Sequence, residues 1–297
     1  MVTKSKPMDL YYLKRKAIEI RKSIIEMLGR AGSGHPGGSL SIVEILVLLY
    51  YEIMRHDPNN PRWEDRDRLI LSKGHAAPAL YAILADLGYF PRSELLHLRR
   101  CDHILQGHPY NLDIPGVEAT TGSLGHGLSF AVGVALAGKL DRKPYRVYVV
   151  LGDGEVEEGQ IWEAAMSAYK YKLDNLCAVL DHNRLQIDGT VFEIKRLTTL
   201  PNKWRAFGWH VIEVDGHNFM QLRSAFQSAA AQNGCPTIII AHTIKGKGVS
   251  YMENRLEWHG KAPKGEEISL ALKELDAALK RLETEEARKP NLKKFHT

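Results

Sequence analysis

The stretch VYVVLGDGEVEEGQIWEAAMSAYKYKLDNLCAVLDHNRLQIDG, residues 147–189, decides how the chain is read. Two apolar runs of strand length, VYVVL and NLCAVLD, flank a segment with helical spacing, IWEAAMSAYKYK. Strand, helix and strand in that order form a right-handed βαβ unit of a buried parallel sheet. Ligands of such sheets gather at the carboxyl ends of the strands. Asp153 follows the first run and Asn183 the second, so both should emerge on that same edge. A carboxylate and an amide oxygen, helped by backbone carbonyls and phosphate oxygens, make a hard-oxygen set suited to Mg²⁺ or Ca²⁺. Gly152 and Gly154 would let the backbone come close to a phosphate. A lone GDG is more often a simple turn; its pairing with Asn183 across one βαβ unit is what favours a ligand site.

Outward from this unit the same alternation continues. Residues 10–31 and the window SIVEILVLLYYEI read as helices, the second with Ser39 or Ser41 as its N-cap. DRLILSKGHAAPALYAILADLG reads as strand, loop and helix, and TTGSLGHGLSFAVGVALAGKL as a glycine loop opening a small-residue helix. WHVIEVDGHN, FMQLRSAFQSAAAQ and PTIIIAHTIK add strand, helix and strand. The expected fold is a single three-layer α/β domain with a mainly parallel sheet over residues 1–265. An amphipathic helix and polar tail should follow over 266–297.

The common nucleotide fingerprints are missing: the GDG segment lacks Rossmann spacing, and no glycine loop ends in the Lys-Ser/Thr pair of a P-loop. TTGSLGHG could offer amides to a diphosphate, although helix packing explains such glycines equally well. His35, His75, His108 and His259 all lie in loops punctuated by glycine or proline. One such histidine is ordinarily solvated or capping; four suggest a cluster able to exchange protons near neutral pH. Cys101, His103 and His108 invite a zinc reading but do not match a structural zinc spacing. His103 reads instead as a surface or helix-end residue.

Composition narrows the class. The 297 residues are 25% charged and 44% apolar, with a formal charge of +5 and no basic stripe with interleaved aromatics. Nucleic acid is therefore not an expected partner, whereas small anions are. Three scattered cysteines, an odd number, argue for a reducing compartment. The N-terminus has no apolar signal core, and the greasiest window carries glutamates and falls short of the roughly 20 apolar residues a membrane span needs. The expected location is the cytoplasm.

Taken in order, GSGHPGGSLS, RDRLILSKGHAAPALYA, QGHP, PGVEATTGSLGHGLS, GDGEVEEGQIWEA, DHNRLQIDG and HTIKGKGVSYMEN…WHG resemble the N-terminal, diphosphate-binding half of the thiamine-diphosphate-dependent transketolase family. The resemblance covers nearly the whole chain. It implies that Asp153, Asn183 and the Leu185 carbonyl bind Mg²⁺, with Ca²⁺ and Mn²⁺ suited to the same donors. It implies that His75, Gly122, Ser123, Leu124, Gly154 and Asn183 line the cofactor, that His259 reaches cofactor and substrate, and that His35 and His108 face the reacting sugar. Glu158 is similar to the glutamate through which active sites communicate across the subunit interface.

The implied reaction moves a two-carbon ketol unit from a ketose phosphate such as xylulose 5-phosphate to an aldose phosphate such as ribose 5-phosphate, in the pentose phosphate pathway. The carbon–carbon chemistry belongs to the cofactor. The family's glycine loop commonly reads GPLGQG; here Ser123 keeps it small, and His126 is given no role. Complete transketolases continue into a pyrimidine-binding domain and a C-terminal domain. The implied arrangement is thus half an active site, completed by a partner chain in an α2β2-like assembly. The α subunit of a 2-oxoacid dehydrogenase, a fragment of 1-deoxyxylulose-5-phosphate synthase and a non-catalytic regulatory module are the alternatives. The sugar-facing histidines and GSLGHG weigh against the first two, and the intact Asp153, Asn183 and four histidines against the third.

Overall fold

The computed structural model describes residues 7–288. Its centre is a five-stranded, fully parallel sheet of β1 (Arg68–Leu71), β2 (Val147–Gly152), β3 (Leu176–His182), β4 (His210–Asp215) and β5 (Thr237–His242), in the spatial order β1-β2-β3-β5-β4. Every residue of β2 is buried, as are all but the last of β3 and β5, so these strands read as continuous apolar runs. Along β2 the alternation still shows: Tyr148 and Val150 enter one core, Val147, Val149 and Leu151 the other.

Two helical layers cover the sheet. On one face lie α1 (Leu10–Ala31), α3 (Val43–Leu48), α4 (Ala77–Leu87) and α9 (Phe219–Ala231). The other carries α5 (His126–Leu140), α6 (Gly159–Lys170) and α8 (Leu200–Ala206). Register sets the site: Gly152 of β2 pairs with Asp181 of β3, and His182 with His242 of β5. Asp153 and Asn183 therefore leave adjacent strands at nearly the same height on the carboxyl edge.

The helix at the second apolar window differs from expectation. It begins at Pro36 as α2 (Pro36–Leu40), pauses, resumes as α3 and ends in a π turn, Leu49–Ile53. Neither Ser39 nor Ser41 caps it. Ser39 Oγ donates to the His35 carbonyl, and Ser41 Oγ donates to the Asp181 carboxylate at 2.8 Å, so both hydroxyls serve the site. The short helix α7 (Val191–Lys195) goes unmarked by apolar spacing. Its Thr190/Glu193 capping box is visible in the sequence, but five residues are too few for helical periodicity to register.

The terminal helix α10 (Glu266–Ala287) lies along α1. Ala271 and Leu275 are buried there, Lys22 pairs with Asp276 at 2.7 Å, and Ile268 sits over Gly29, where a Cβ would come within 2.5 Å of it. The expected tail beyond residue 288 lies outside the described residues. Among the described residues no helix is long and apolar enough to cross a membrane.

Candidate active site

At the carboxyl edge Asp153 is only 2% exposed. Its Oδ1 accepts from the Gly154 amide at 2.9 Å, and its Oδ2 accepts from the Arg184 amide and lies 3.3 Å from His182 Nδ1. No lysine or arginine forms an ion pair with it among the described residues. The Lys245 charge reaches it only through space, and a buried carboxylate without a direct ion pair is costly in a low-dielectric interior, a cost that a divalent ion would offset. Asn183 is held by both ends: Nδ2 donates to Asp181 Oδ2 at 2.9 Å, and Oδ1 accepts from the Leu185 amide at 3.1 Å. The Leu185 carbonyl accepts from Lys245 Nζ at 3.2 Å. An ammonium thus already sits on the oxygen expected to be the third ligand, so the donor set fits a hard cation. Gly154 has an ordinary helical conformation; its small size matters because a Cβ would press on Gln186 at 3.1 Å.

The edge also holds two lysines and two acids that leave no signal of their own in the sequence. Lys245 is 2% exposed, and burial together with the nearby Lys73 charge lowers its pKa to about 8. Lys73 forms a fully buried ion pair with Asp181 at 2.5 Å and donates to the Gly38 carbonyl at 3.0 Å. Asp181 also accepts from Ser41, Asn183 and Thr243. Burial alone would raise its pKa, but Lys73 and these donors hold it below the usual carboxylate value. Glu155, buried just after Asp153, accepts from Ser72 Oγ, the Gly125 amide and the Gly152 amide, and burial pushes its pKa up. It fastens the glycine loop to the end of β2. A charged residue inside a strand or short turn carries no periodicity signal, which is why these four escape notice.

The four loop histidines do converge. His35 lies 5.3 Å from His75, 5.6 Å from His259 and 6.3 Å from His108 between ring centroids, and His75 lies 5.4 Å from His259. Lys245 Nζ meets His259 Nδ1 at 2.8 Å. Burial, then the Arg99, His108 and lysine charges, lowers His35 to about 4; burial, then Lys245, lowers His259 to about 3. His75 is pushed well below 6.5 by burial and Lys73, and the more exposed His108 is lowered by burial and Arg99. The expectation of titration near neutral pH therefore gives way to a cluster that is neutral at pH 7.

This has a measurable consequence for stability. Because the folded pKa values of His35 and His259 lie below the ordinary imidazole value, the unfolded chain binds protons first as the pH falls. Stability is complete above about pH 6.5 and declines as the pH drops toward 4. Thermal melts across that range should show this slope, and the double variant His35→Gln/His259→Gln should flatten it. An unchanged slope in the variant would contradict the assignment.

The glycine loop closes the site from the α5 side. Gly122, Ser123 and Leu124 are exposed, and a Cβ on Gly122 would touch the His108 ring at 3.5 Å. Gly125 adopts φ +87°, a conformation open to glycine, and turns the chain into α5. A Cβ there would lie 3.2 Å from that of Glu158, which sits at the start of α6. Phe130, Met166 and Tyr169 of α5 and α6 are exposed. His126 is exposed, and its ring lies against its own turn at the Leu124 carbonyl. Cys101, His103 and His108 are not gathered: His108 faces His35, Cys101 is exposed and free, and His103 turns to Glu94.

Residues 13–282 match the family profile "Transketolase, thiamine diphosphate binding domain". The chain is 49% identical over 264 residues to a 6-deoxy-6-sulfo-D-fructose transketolase subunit of Clostridium sp. (strain MSTE9), covering 89% of this chain and 96% of that protein. It is 43% identical over 278 residues to an apulose-4-phosphate transketolase subunit from Phocaeicola vulgatus, covering 94% and 99%. Among solved structures, transketolase from Campylobacter jejuni superposes with a TM-score of 0.82 at 29% identity, over 95% of this chain and 49% of that one. Sequence, sheet order and the residues gathered at its edge agree, and the chain belongs to the transketolase family, where it corresponds to the thiamine-diphosphate-binding domain.

Proposed function

We propose that this chain is the diphosphate-binding, N-terminal subunit of a two-chain transketolase, working with a pyrimidine-domain partner chain in an α2β2-like assembly. The observation that carries the reading is the buried Asp153, with no lysine or arginine in direct contact among the described residues, beside the Asn183 amide and Leu185 carbonyl, next to four converging histidines. The partner finds support in the relatives of matching length, which are named as subunits. Exposed apolar side chains of α5 and α6, such as Phe130 and Met166, are ones such a chain could cover.

Thiamine diphosphate, when bound, supplies the nucleophilic carbon and the electron sink for breaking a carbon–carbon bond. The chain's own residues do the holding. Asp153, Asn183 and the Leu185 carbonyl would bind Mg²⁺, and Lys245 is the group that the ion has to displace from that carbonyl. His75, Gly122, Ser123, Leu124, Gly154 and Asn183 would line the cofactor, with His259 between it and the substrate. His35 and His108 would hydrogen-bond the sugar's carbonyl and hydroxyls. Their neutral rings suit both donation and acceptance, and anionic groups brought beside them would raise their pKa values toward neutrality. Glu158 is the contact that would reach across to the partner.

The relatives are named for a sulfonated ketose and for apulose 4-phosphate. We accordingly assign the donor to ketoses with a terminal anionic group, phosphate or sulfonate, with xylulose 5-phosphate and ribose 5-phosphate as the reference pair. We place the enzyme in the cytoplasm, in keeping with three free cysteines, and take residues 1–265 as the catalytic module with 266–297 appended to it.

Calorimetric titration of thiamine diphosphate with Mg²⁺, with and without the partner chain, tests the reading. Weak binding alone, tight binding with the partner and ketol transfer only in the mixture are expected. Full turnover by this chain alone, or oxidative acyl transfer from a 2-oxoacid without ketol transfer, would overturn it.

A further inference from the structure

Outside the set at Asp153 and the four histidines, three side chains that the reaction does not use come together. Glu94 and His97 lie three residues apart on the 3₁₀ turn Arg92–His97, where a repeat of three places them on one side. The chain then folds back: Arg99 takes a left-handed conformation at φ +64°, its amide donates to the Leu105 carbonyl at 2.8 Å, and the His103 amide donates to the Arg100 carbonyl. That reversal brings His103 Nδ1 within 3.2 Å of Glu94 Oε2 and stacks the His103 ring on His97, with centroids 3.8 Å apart and planes 4° from parallel; because an imidazole binds a metal in its own plane, one of the two rings has to turn about its side-chain bonds for both to hold the same ion. One potential ligand atom from each of the three lies within 4.8 Å of the others, with all three residues half-buried. A second observation points the same way. His97 Nδ1 is buried with no hydrogen-bond partner, although buried polar atoms are ordinarily satisfied.

We infer that Glu94, His97 and His103 form a binding site for one zinc-class divalent cation. Two imidazoles and one carboxylate make a borderline donor set, which favours Zn²⁺, Co²⁺ or Ni²⁺ over Mg²⁺. Three protein ligands also leave a fourth, open position. The site is chemically distinct from the oxygen-only set at Asp153, and neither depends on the other. Its position suggests its use. The bound ion cross-links the two ends of segment 94–103, which carries Arg99, and the Arg99 guanidinium rests against Gly107, next to His108: a Cβ on Gly107 would lie 2.9 Å from it. The metal would thus hold the strip of chain that presents Arg99 and His108 to the histidine cluster.

The test uses the untagged, metal-stripped chain titrated with Co²⁺ in excess Mg²⁺, which occupies the oxygen set at Asp153, read by visible absorption and then displaced with Zn²⁺. One equivalent per chain is expected, with slowed amide hydrogen exchange at residues 97–105 on loading. His97→Gln and His103→Gln should each weaken binding by at least about 10-fold, since each removes a direct ligand where outer-shell changes alone cost that much. Asp153→Ala should leave the Co²⁺ spectrum unchanged. Both histidine variants stay informative if circular dichroism matches the parent chain, and Glu94→Gln provides a third. Absence of a Co²⁺ spectrum, binding unaltered by all three substitutions, or loss of binding in Asp153→Ala would overturn the site.

Discussion

Asp153→Ala should lower the affinity for thiamine diphosphate in the presence of Mg²⁺ by more than about 100-fold, because losing an outer-shell contact to a metal already costs about 10–100-fold and this change removes a ligand itself. The carboxylate is buried at the end of β2, bonded to two backbone amides and a histidine, with no lysine or arginine in direct contact among the described residues and the Lys245 charge acting on it through space. The fold should survive. Two amides lose an acceptor, at about 1–3 kcal/mol each at most, but an uncompensated buried charge is removed at the same time, and the two effects oppose each other. Titration of the complex with its partner chain at fixed Mg²⁺, with a thermal melt of the isolated chain, measures both. Asp153→Asn refines the result, since it keeps the shape and loses the charge. Equal affinity in the parent and Asp153→Ala, or collapse of the isolated chain, would assign Asp153 to a structural turn instead.

What the sequence reveals follows from the kind of signal each feature leaves. The βαβ unit at 147–189 announces itself because two continuous apolar runs bracket a helical period, and the structure places Asp153 and Asn183 on adjacent strand ends as expected. The convergence of His35, His75, His108 and His259 spans more than two hundred residues of chain, yet glycine and proline mark each as a loop residue, and the sheet brings those loops to one edge. Their protonation state leaves no such mark. It depends on Lys73 and Lys245 reaching the cluster from two separate segments, and on burial that only the closed fold creates. Ser41 shows the same limit. As a local signal it is a helix cap; in three dimensions its hydroxyl serves an aspartate 140 residues away. Glu94, His97 and His103 escape a reading by spacing because a backbone reversal at Arg99 brings them together.

Lys73→Met should cost about 3–5 kcal/mol of stability, the size expected when one partner of a buried ion pair is removed and the other stays charged in the interior. Lys73 and Asp181 are 1% and 0% exposed, and Lys73 is the only lysine or arginine paired with that carboxylate among the described residues. At about 2–4 °C per kcal/mol for a domain of this size, the melting temperature should fall by on the order of 10 °C. The sign of the pH dependence identifies the cause. In the parent chain Asp181 has a depressed pKa, so its contribution is present above the unfolded carboxylate value near 3.9 and is lost below it. Without Lys73 the largest influence opposing burial is gone, and the folded pKa of Asp181 should rise. The deficit of the variant should then be largest at pH 7 and shrink as the pH falls toward 4, opposite to the slope set by the histidines. The double variant Lys73→Met/Asp181→Asn should recover much of the loss, because the stranded charge is gone. The same change should reach the cofactor site, since Asn183 Nδ2 rests on Asp181 and its Oδ1 is aimed by that bond. Lys73→Met should therefore weaken Mg²⁺-dependent binding even at temperatures where the variant is fully folded. A variant that melts early but binds normally would separate the ion pair from the metal site and restrict it to stability alone.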